Sequence, residues 1–149
     1  MILREFLFND WPAVLAYQQD HRYLEFYPFS TRIGSDTKEF VQWYLDEQTE
    51  SPRNQAQLAV VLKETSELIG NAGVHRKPEN DWEADLDFEI APERWRQGYA
   101  TEATAALIEY GFNEMKLHRI SASCIAENRA SARVLSKLGT REEGRLQKN

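Results

Sequence analysis

Four carboxylates occupy every second position in Glu83, Asp85, Asp87 and Glu89, alternating with Trp82, Ala84, Leu86, Phe88 and Ile90. Alternation of this kind marks a strand with one apolar face, so the carboxylates share the other. Such a ladder is either a solvated strand face or a surface that attracts a cationic substrate. Glu89 stands last, at the carboxyl end of its strand, where open mixed sheets place their ligands. Directly after it comes Ile90-Ala91-Pro92-Glu93-Arg94-Trp95-Arg96-Gln97-Gly98-Tyr99-Ala100-Thr101, a proline bend, a glycine turn and the opening of a helix. The first N–H groups of that helix lack intrahelical partners, and its dipole favours negative charge in front of them. Gly98 allows a backbone conformation denied to other residues and keeps a Cβ away from an incoming phosphate, while Ala100 keeps the next approach small. These residues suit a phosphate-bearing ligand held next to a row of carboxylates.

Two familiar phosphate sites do not match. The turn lacks the Gly-Lys-Ser/Thr ending of a nucleotide P-loop, and no Gly-x-Gly-x-x-Gly follows the first strand, so kinase and dinucleotide chemistry are unsupported. A net charge of -6 opposes non-specific nucleic-acid binding and suits cationic partners. Cys124 is the single cysteine, which rules out an internal disulfide and favours a reducing, cytoplasmic setting. It reads as a small hydrophobe in a strand without a neighbouring base, not as an acyl carrier. No apolar run is long enough to cross a bilayer, and the Met1 start has no signal-peptide core.

The elements that must position these groups fit one α/β domain over residues 1–149. Ile2 to Phe8 reads as a first strand; Asn9-Asp10-Trp11-Pro12 caps a helix to about His21. The stretch His21 to Ser30, with Tyr23, Phe26, Tyr27 and Phe29, reads as an aromatic connection, either pinned on the core by its rings or walling a substrate. Ser35 and Asp36, with Glu39, open a second helix as a capping box. Gln57 to Lys63 is an apolar strand covered on both faces, Leu68 to His75 the next, and Trp82 to Ile90 the acidic fourth. A long helix follows from Tyr99 to about Lys116. His118 to Ile125 is a fifth strand, a last helix runs to Leu138 with Gly139 as its stop, and Arg141 to Leu146 is a short further strand.

One stretch carries a resemblance. Arg96-Gln97-Gly98-Tyr99-Ala100-Thr101-Glu102-Ala103, preceded by Ile90-Ala91-Pro92-Glu93 and followed by Glu127-Asn128-Arg129-Ala130-Ser131 and Lys137-Leu138-Gly139, resembles the GNAT acetyltransferases. Within them it is most similar to the ribosomal-protein N-terminal acetyltransferase (RimJ/RimL-like) group. The resemblance implies a mixed sheet splayed between its fourth and fifth strands, helices on both faces, and acetyl-coenzyme A as donor without a metal. It places the pantetheine arm on the backbone of Glu89, Ile90 and Ala91. The pyrophosphate falls on amides of Gln97, Gly98, Tyr99, Ala100 and Thr101, with Asn128 and Ser131 facing the coenzyme. Arg94 and Arg96 either pair with the phosphates or are solubilising surface residues.

The implied reaction is direct attack of an amine on the thioester, which needs a neutral amine, a proton route and a donor for the developing oxyanion. Glu89 is the first candidate for the base, directly or through water, and Asp87 the second; otherwise the proton leaves through water or backbone groups. A backbone N–H near Ile90 or Ala91 is the expected oxyanion donor. The acceptor is a protein N-terminus or a small cationic amine, walled by Tyr23, Phe26, Tyr27 and Phe29 and attracted by Asp85 and its neighbours. A second reading is a non-catalytic acetyl-coenzyme A-binding module that regulates a partner.

The chain departs from the family pattern at Trp95, where many members carry Arg or Gln, and at Leu135, where many carry a tyrosine that protonates the leaving thiolate. It also ends where family members continue into a further strand. An open edge on the fifth strand is the expected result, covered by a second protomer or belonging to a truncated chain with a weakened acceptor site.

Overall fold

The computed structural model describes residues 1–26, 34–50, 53–122 and 129–139. Its strands are β1 (Ile2–Glu5), β2 (Gln55–Val61), β3 (Leu68–Lys77), β4 (Asn80–Ile90) and β5 (Arg119–Ala122). Its helices are α1 (Trp11–Gln18), α2 (His21–Phe26), α3 (Gly34–Glu47), α4 (Tyr99–Asn113) and α5 (Arg129–Lys137). The strands form one sheet in the order β1-β2-β3-β4-β5, antiparallel except for the parallel pair β4 and β5. The mixed α/β reading therefore holds. Cys124, Asn128, Tyr27, Phe29 and the expected strand at Arg141 to Leu146 lie outside the described residues.

Period-two alternation sorts the sheet into two faces. Ala56, Val60, Ala72, Val74, Ala84, Leu86 and Ile90 are buried on one face with Ala103 and Leu107 of α4. On the other face Ala59, Val61 and Leu68 meet Val14 and Tyr17 of α1, Tyr23 of α2 and Val41 of α3. Helices thus cover both faces, and burial of this apolar surface is the main stabilising term.

The aromatic stretch after α1 is not all connection, because His21–Phe26 winds into α2 and plants Tyr23 in the core at 4% exposure. Asp10 precedes α1 but makes no side-chain cap. Its carboxylate instead takes a bidentate pair from Arg4 at 2.8 and 2.9 Å and the Leu7 N–H at 2.7 Å, tying β1 to the 3-10 turn Phe8–Asp10. α3 starts at Gly34, so Asp36 falls inside its first turn and not at a cap. Trp82 leaves the apolar core altogether; it is exposed at the end of the β3–β4 hairpin and stacks on His118 at 5.8 Å.

Two features of β4 position the site. Its described pairing with β5 runs from Glu83↔Arg119 to Leu86↔Ala122, while its pairing with β3 continues to Gly70↔Ile90. The residues that follow Ala122 lie outside the described set, so the register of β4 with β5 is described as far as Leu86. Gly70 permits the close approach of β3 there, since a Cβ on it would stand 2.2 Å from the Glu89 carbonyl oxygen.

Candidate functional site

The site begins where β4 ends. The chain turns through the 3-10 segment Pro92–Arg94 and is pinned by Trp95, whose indole Nε1 donates to the Ile90 carbonyl at 2.8 Å. Trp95 therefore serves as a tether from the turn to the strand. Arg96 and Gly98 then both adopt left-handed backbone, with φ of 63° and 85°, before α4 starts at Tyr99. An arginine in that region costs roughly 1 kcal/mol, so strain is concentrated in this turn.

The first intrahelical bond of α4 runs from the Glu102 N–H to the Gly98 carbonyl at 3.0 Å. Among the described residues nothing accepts from the amides of Gln97, Gly98, Tyr99, Ala100 or Thr101. A Cβ on Gly98 would meet no atom within 4 Å, so open space lies in front of these donors. This is the geometry of an anion cradle at a helix N-terminus. Tyr99 and Ala100 pack partly on the core, which fixes the direction of the cradle. Arg96 is exposed, whereas Arg94 is tied to Glu67 at 2.6 Å. Ser131 lies half-buried in α5, which packs on α4.

The three strand residues expected to meet the coenzyme arm divide by direction. The Ala91 N–H donates to the Ile69 carbonyl at 2.7 Å, so it serves β3. By the alternation of an antiparallel ladder the Glu89 main chain also faces β3, and that of Ile90 faces away from it. Of the two amides expected as oxyanion donors, Ile90 is the one directed away from β3.

Glu89 projects onto the face covered by α1 and α2. Its Oε1 accepts from Tyr17 Oη at 2.7 Å, Gln18 Nε2 at 2.8 Å and Asn71 Nδ2 at 2.6 Å; its Oε2 accepts from Tyr23 Oη at 2.7 Å. All of these donors are neutral. Burial, and then the neighbouring Glu89 charge, pushes the Tyr17 phenol well above its ordinary range, so it stays a donor. Among the described residues Tyr23 is the one donor to Oε2, and a carboxylate oxygen has room for a second.

The rest of the ladder is solvated but also paired, with the Asp85 and Asp87 side chains 64% and 57% exposed. Across β2, β3 and β4 the register sets Gln55, His75 and Asp85 in one row, Gln57, Gly73 and Asp87 in the next, and Ala59, Asn71 and Glu89 in a third. Asp87 takes Gln57 Nε2 on Oδ1 at 3.0 Å and His75 Nε2 on Oδ2 at 3.0 Å. Gln57 Nε2 also reaches Asn71 Oδ1 at 2.6 Å. Burial lowers the His75 pKa, but the bond to Asp87 and the charges of Asp87, Glu47 and Asp85 outweigh it and raise the net value. Glu47, buried at the end of α3, is shifted upward by burial. Lys77 lies 3.3 Å from Glu83 and 3.8 Å from Asp85, neutralising the far end of the row.

The structure thus brings Tyr23 onto Glu89 and joins Glu89 to Asp87 through Asn71 and Gln57. Phe26 closes α2, and its side chain is outside the described set. Tyr17, Gln18, Gln57, Asn71 and His75 escaped the sequence reading. Gln55 and Gln57 on β2, and Asn71, Gly73 and His75 on β3, do recur at period two. That signal was obscured because both strands otherwise read as apolar.

Residues 1–141 match the family described as "Acetyltransferase (GNAT) domain". The chain is 36% identical to the uncharacterized N-acetyltransferase YnaD of Bacillus subtilis (strain 168) over 148 residues, covering 99% of this chain and 83% of that protein. A crystal structure of a GNAT-family acetyltransferase from Bacillus anthracis superposes with a TM-score of 0.82 at 34% identity, covering 95% of this chain and 80% of the other. The spermidine N-acetyltransferase of Vibrio cholerae in complex with CoA and spermine shares the fold at a TM-score of 0.80 and 18% identity, with 97% and 83% of the two chains covered. Among the described residues no helix is long and apolar enough to cross a membrane. With a family match over residues 1–141 and relatives of the same kind across nearly its whole length, the chain belongs to the GNAT acetyltransferases and is by that membership an acetyl-coenzyme A-dependent acetyltransferase.

Proposed function

We propose that the chain acetylates a primary amine on a cationic acceptor, a protein N-terminus or a small amine, and that the amine meets the donor beside Glu89. One observation carries the reading. The amides of 97–101, which have no acceptor among the described residues, and the Ile90 N–H directed away from β3 lie at one end of β4, and the Glu89 carboxylate stands at that same end. Gln97, Gly98, Tyr99, Ala100 and Thr101 would hold the pyrophosphate, with Ser131, and Asn128 beyond the described residues, beside the coenzyme. The bound coenzyme supplies an activated acetyl thioester. The protein then has to place an amine, take its proton and exclude water. Glu89 Oε2 is the acceptor for that proton, directly or through water, because Oε1 already receives three donors. Asp87 ranks second, since both of its oxygens are engaged. Asp85, Asp87, Glu89 and Glu47 supply the negative field that draws a cation.

The test is release of free thiol from acetyl-coenzyme A with a panel of diamines, amino-sugars and short peptides with free N-termini, run beside calorimetry of coenzyme binding. Turnover on one acceptor class supports the reading and names the class. Tight coenzyme binding without turnover on any acceptor would instead favour a regulatory acetyl-coenzyme A-binding module.

A further inference from the structure

We infer that His75 is a positioning residue for Glu89, acting through the side-chain amides of Gln57 and Asn71. The inference rests on the functional reading above for its link to catalysis, and on geometry alone for the chain of bonds.

Each link in that chain has one workable direction. Asp87 Oδ1 can only accept, so the nitrogen end of the Gln57 amide has to face it, at 3.0 Å. The same nitrogen faces Asn71 Oδ1 at 2.6 Å. Gln57 Oε1 is thereby turned to His75 Nε2 at 2.8 Å, and Asp87 Oδ2 lies 3.0 Å from that same nitrogen. Two acceptors converge on Nε2, so it carries a proton. Asn71, having its oxygen engaged by Gln57, turns its nitrogen to Glu89 Oε1 at 2.6 Å and to Tyr17 Oη at 2.5 Å. Reversing the Gln57 amide would set its oxygen against Asp87 and Asn71 Oδ1, and reversing Asn71 would set an oxygen against the Glu89 carboxylate.

Burial makes these orientations binding. Gln57 is 4% exposed and Asn71 5% exposed, so water cannot substitute for a lost partner. The backbone is built to admit the contact. A Cβ on Gly73 would stand 2.0 Å from Gln57 Oε1 and 2.8 Å from His75 Nε2, so this point of β3 leaves room for the amide and imidazole to meet. His75 is itself fixed from the other side by Gln55 Oε1, 3.0 Å from Nδ1, and is faced by Asp85 and Asp87 of β4 and Glu47 of α3. Directional hydrogen bonds thus lead from His75 to the carboxylate oxygen that three donors hold in place.

The experiment compares His75→Leu, which removes the donor, with His75→Gln, whose amide can present an N–H where Nε2 stands, and with Gln57→Met as an independent break. Two readouts are taken on the intact chain: the side-chain amide signals of Asn71 by NMR, and kcat and KM for acetyl-coenzyme A with whichever amine of the panel is turned over. His75→Leu and Gln57→Met are expected to move or split the Asn71 signals and to lower kcat about fivefold or more without changing KM for the coenzyme. His75→Gln is expected to restore both. Unmoved Asn71 signals in both breaking variants would overturn the inference, and so would moved signals with unaltered kcat. If the wild type acetylates no amine, the functional reading fails, and the Asn71 signals alone decide the chain of bonds.

Discussion

Gly73 and Gln57 face each other across β3 and β2, and the Gln57 amide occupies the space where a side chain on Gly73 would stand, 2.0 Å from the Cβ position. The glycine is needed there for room, not for backbone freedom. Gly73→Ala should push the Gln57 amide off His75 and Asp87 and destabilise the fold by about 1–3 kcal/mol, the usual range for overpacking a tight site. Urea unfolding measures it. Stability equal to the wild type would mean that the row across β2, β3 and β4 is looser than the register shows.

At the other end of the site, Gly98 combines left-handed backbone with open space in front. Gly98→Glu puts a negative side chain before the cradle amides and should weaken acetyl-coenzyme A binding about tenfold or more. Gly98→Ala separates strain from charge: it costs roughly 1 kcal/mol of stability and reduces affinity less than the glutamate does. Calorimetry reads both. Unchanged affinity in Gly98→Glu would remove the pyrophosphate from this turn.

Much of this could be read from residue order because it depends on local periodicity. The alternation from Trp82 to Ile90 and the glycine turn before Tyr99 are local signals, and both elements form where that pattern predicts. What was hidden depends on register and on distant partners. Tyr17 meets Glu89 across 72 positions, and nothing near either residue announces the pairing. Asp10 looks like a helix cap by its neighbours, yet Arg4 offers a bidentate charge-assisted pair that outweighs a single capping bond. The carboxylates were visible as a row. Their different partners, Lys77, His75 and a set of neutral donors, emerge only once β3 and α1 are docked.

Glu89→Gln tests the carboxylate at the end of the row. The substituted amide can accept at one atom only, so at least one of the donors Tyr17, Gln18, Tyr23 and Asn71 loses its acceptor. The fold should lose about 1–3 kcal/mol for that mismatch. Coenzyme affinity should be unchanged, because the cradle lies in a separate segment, while kcat falls about a hundredfold for a lost proton acceptor. Full transfer activity in this variant would leave Glu89 as a structural anchor of α1 and α2 and move the proton route to water.

Asp10 supplies the test by pH. Burial works against its ionised form, but the bonds from Arg4 and the Leu7 N–H and the Arg4 charge outweigh it, and its pKa lies below the ordinary 3.8. A carboxylate depressed in the folded state stabilises the fold above its unfolded value, and that contribution is lost as the pH falls through the folded value. Asp10→Asn should therefore be less stable than the wild type by about 2 kcal/mol near neutral pH, the size of a lost charged hydrogen-bonded partner. The gap should narrow as the pH is taken below the ordinary value of 3.8, where the wild-type carboxylate protonates. Urea unfolding of both proteins across the acid range reads the difference, in which the other carboxylates cancel. A gap that stays constant with pH would show that the Arg4–Asp10 pair joins β1 to its turn by shape and not by charge.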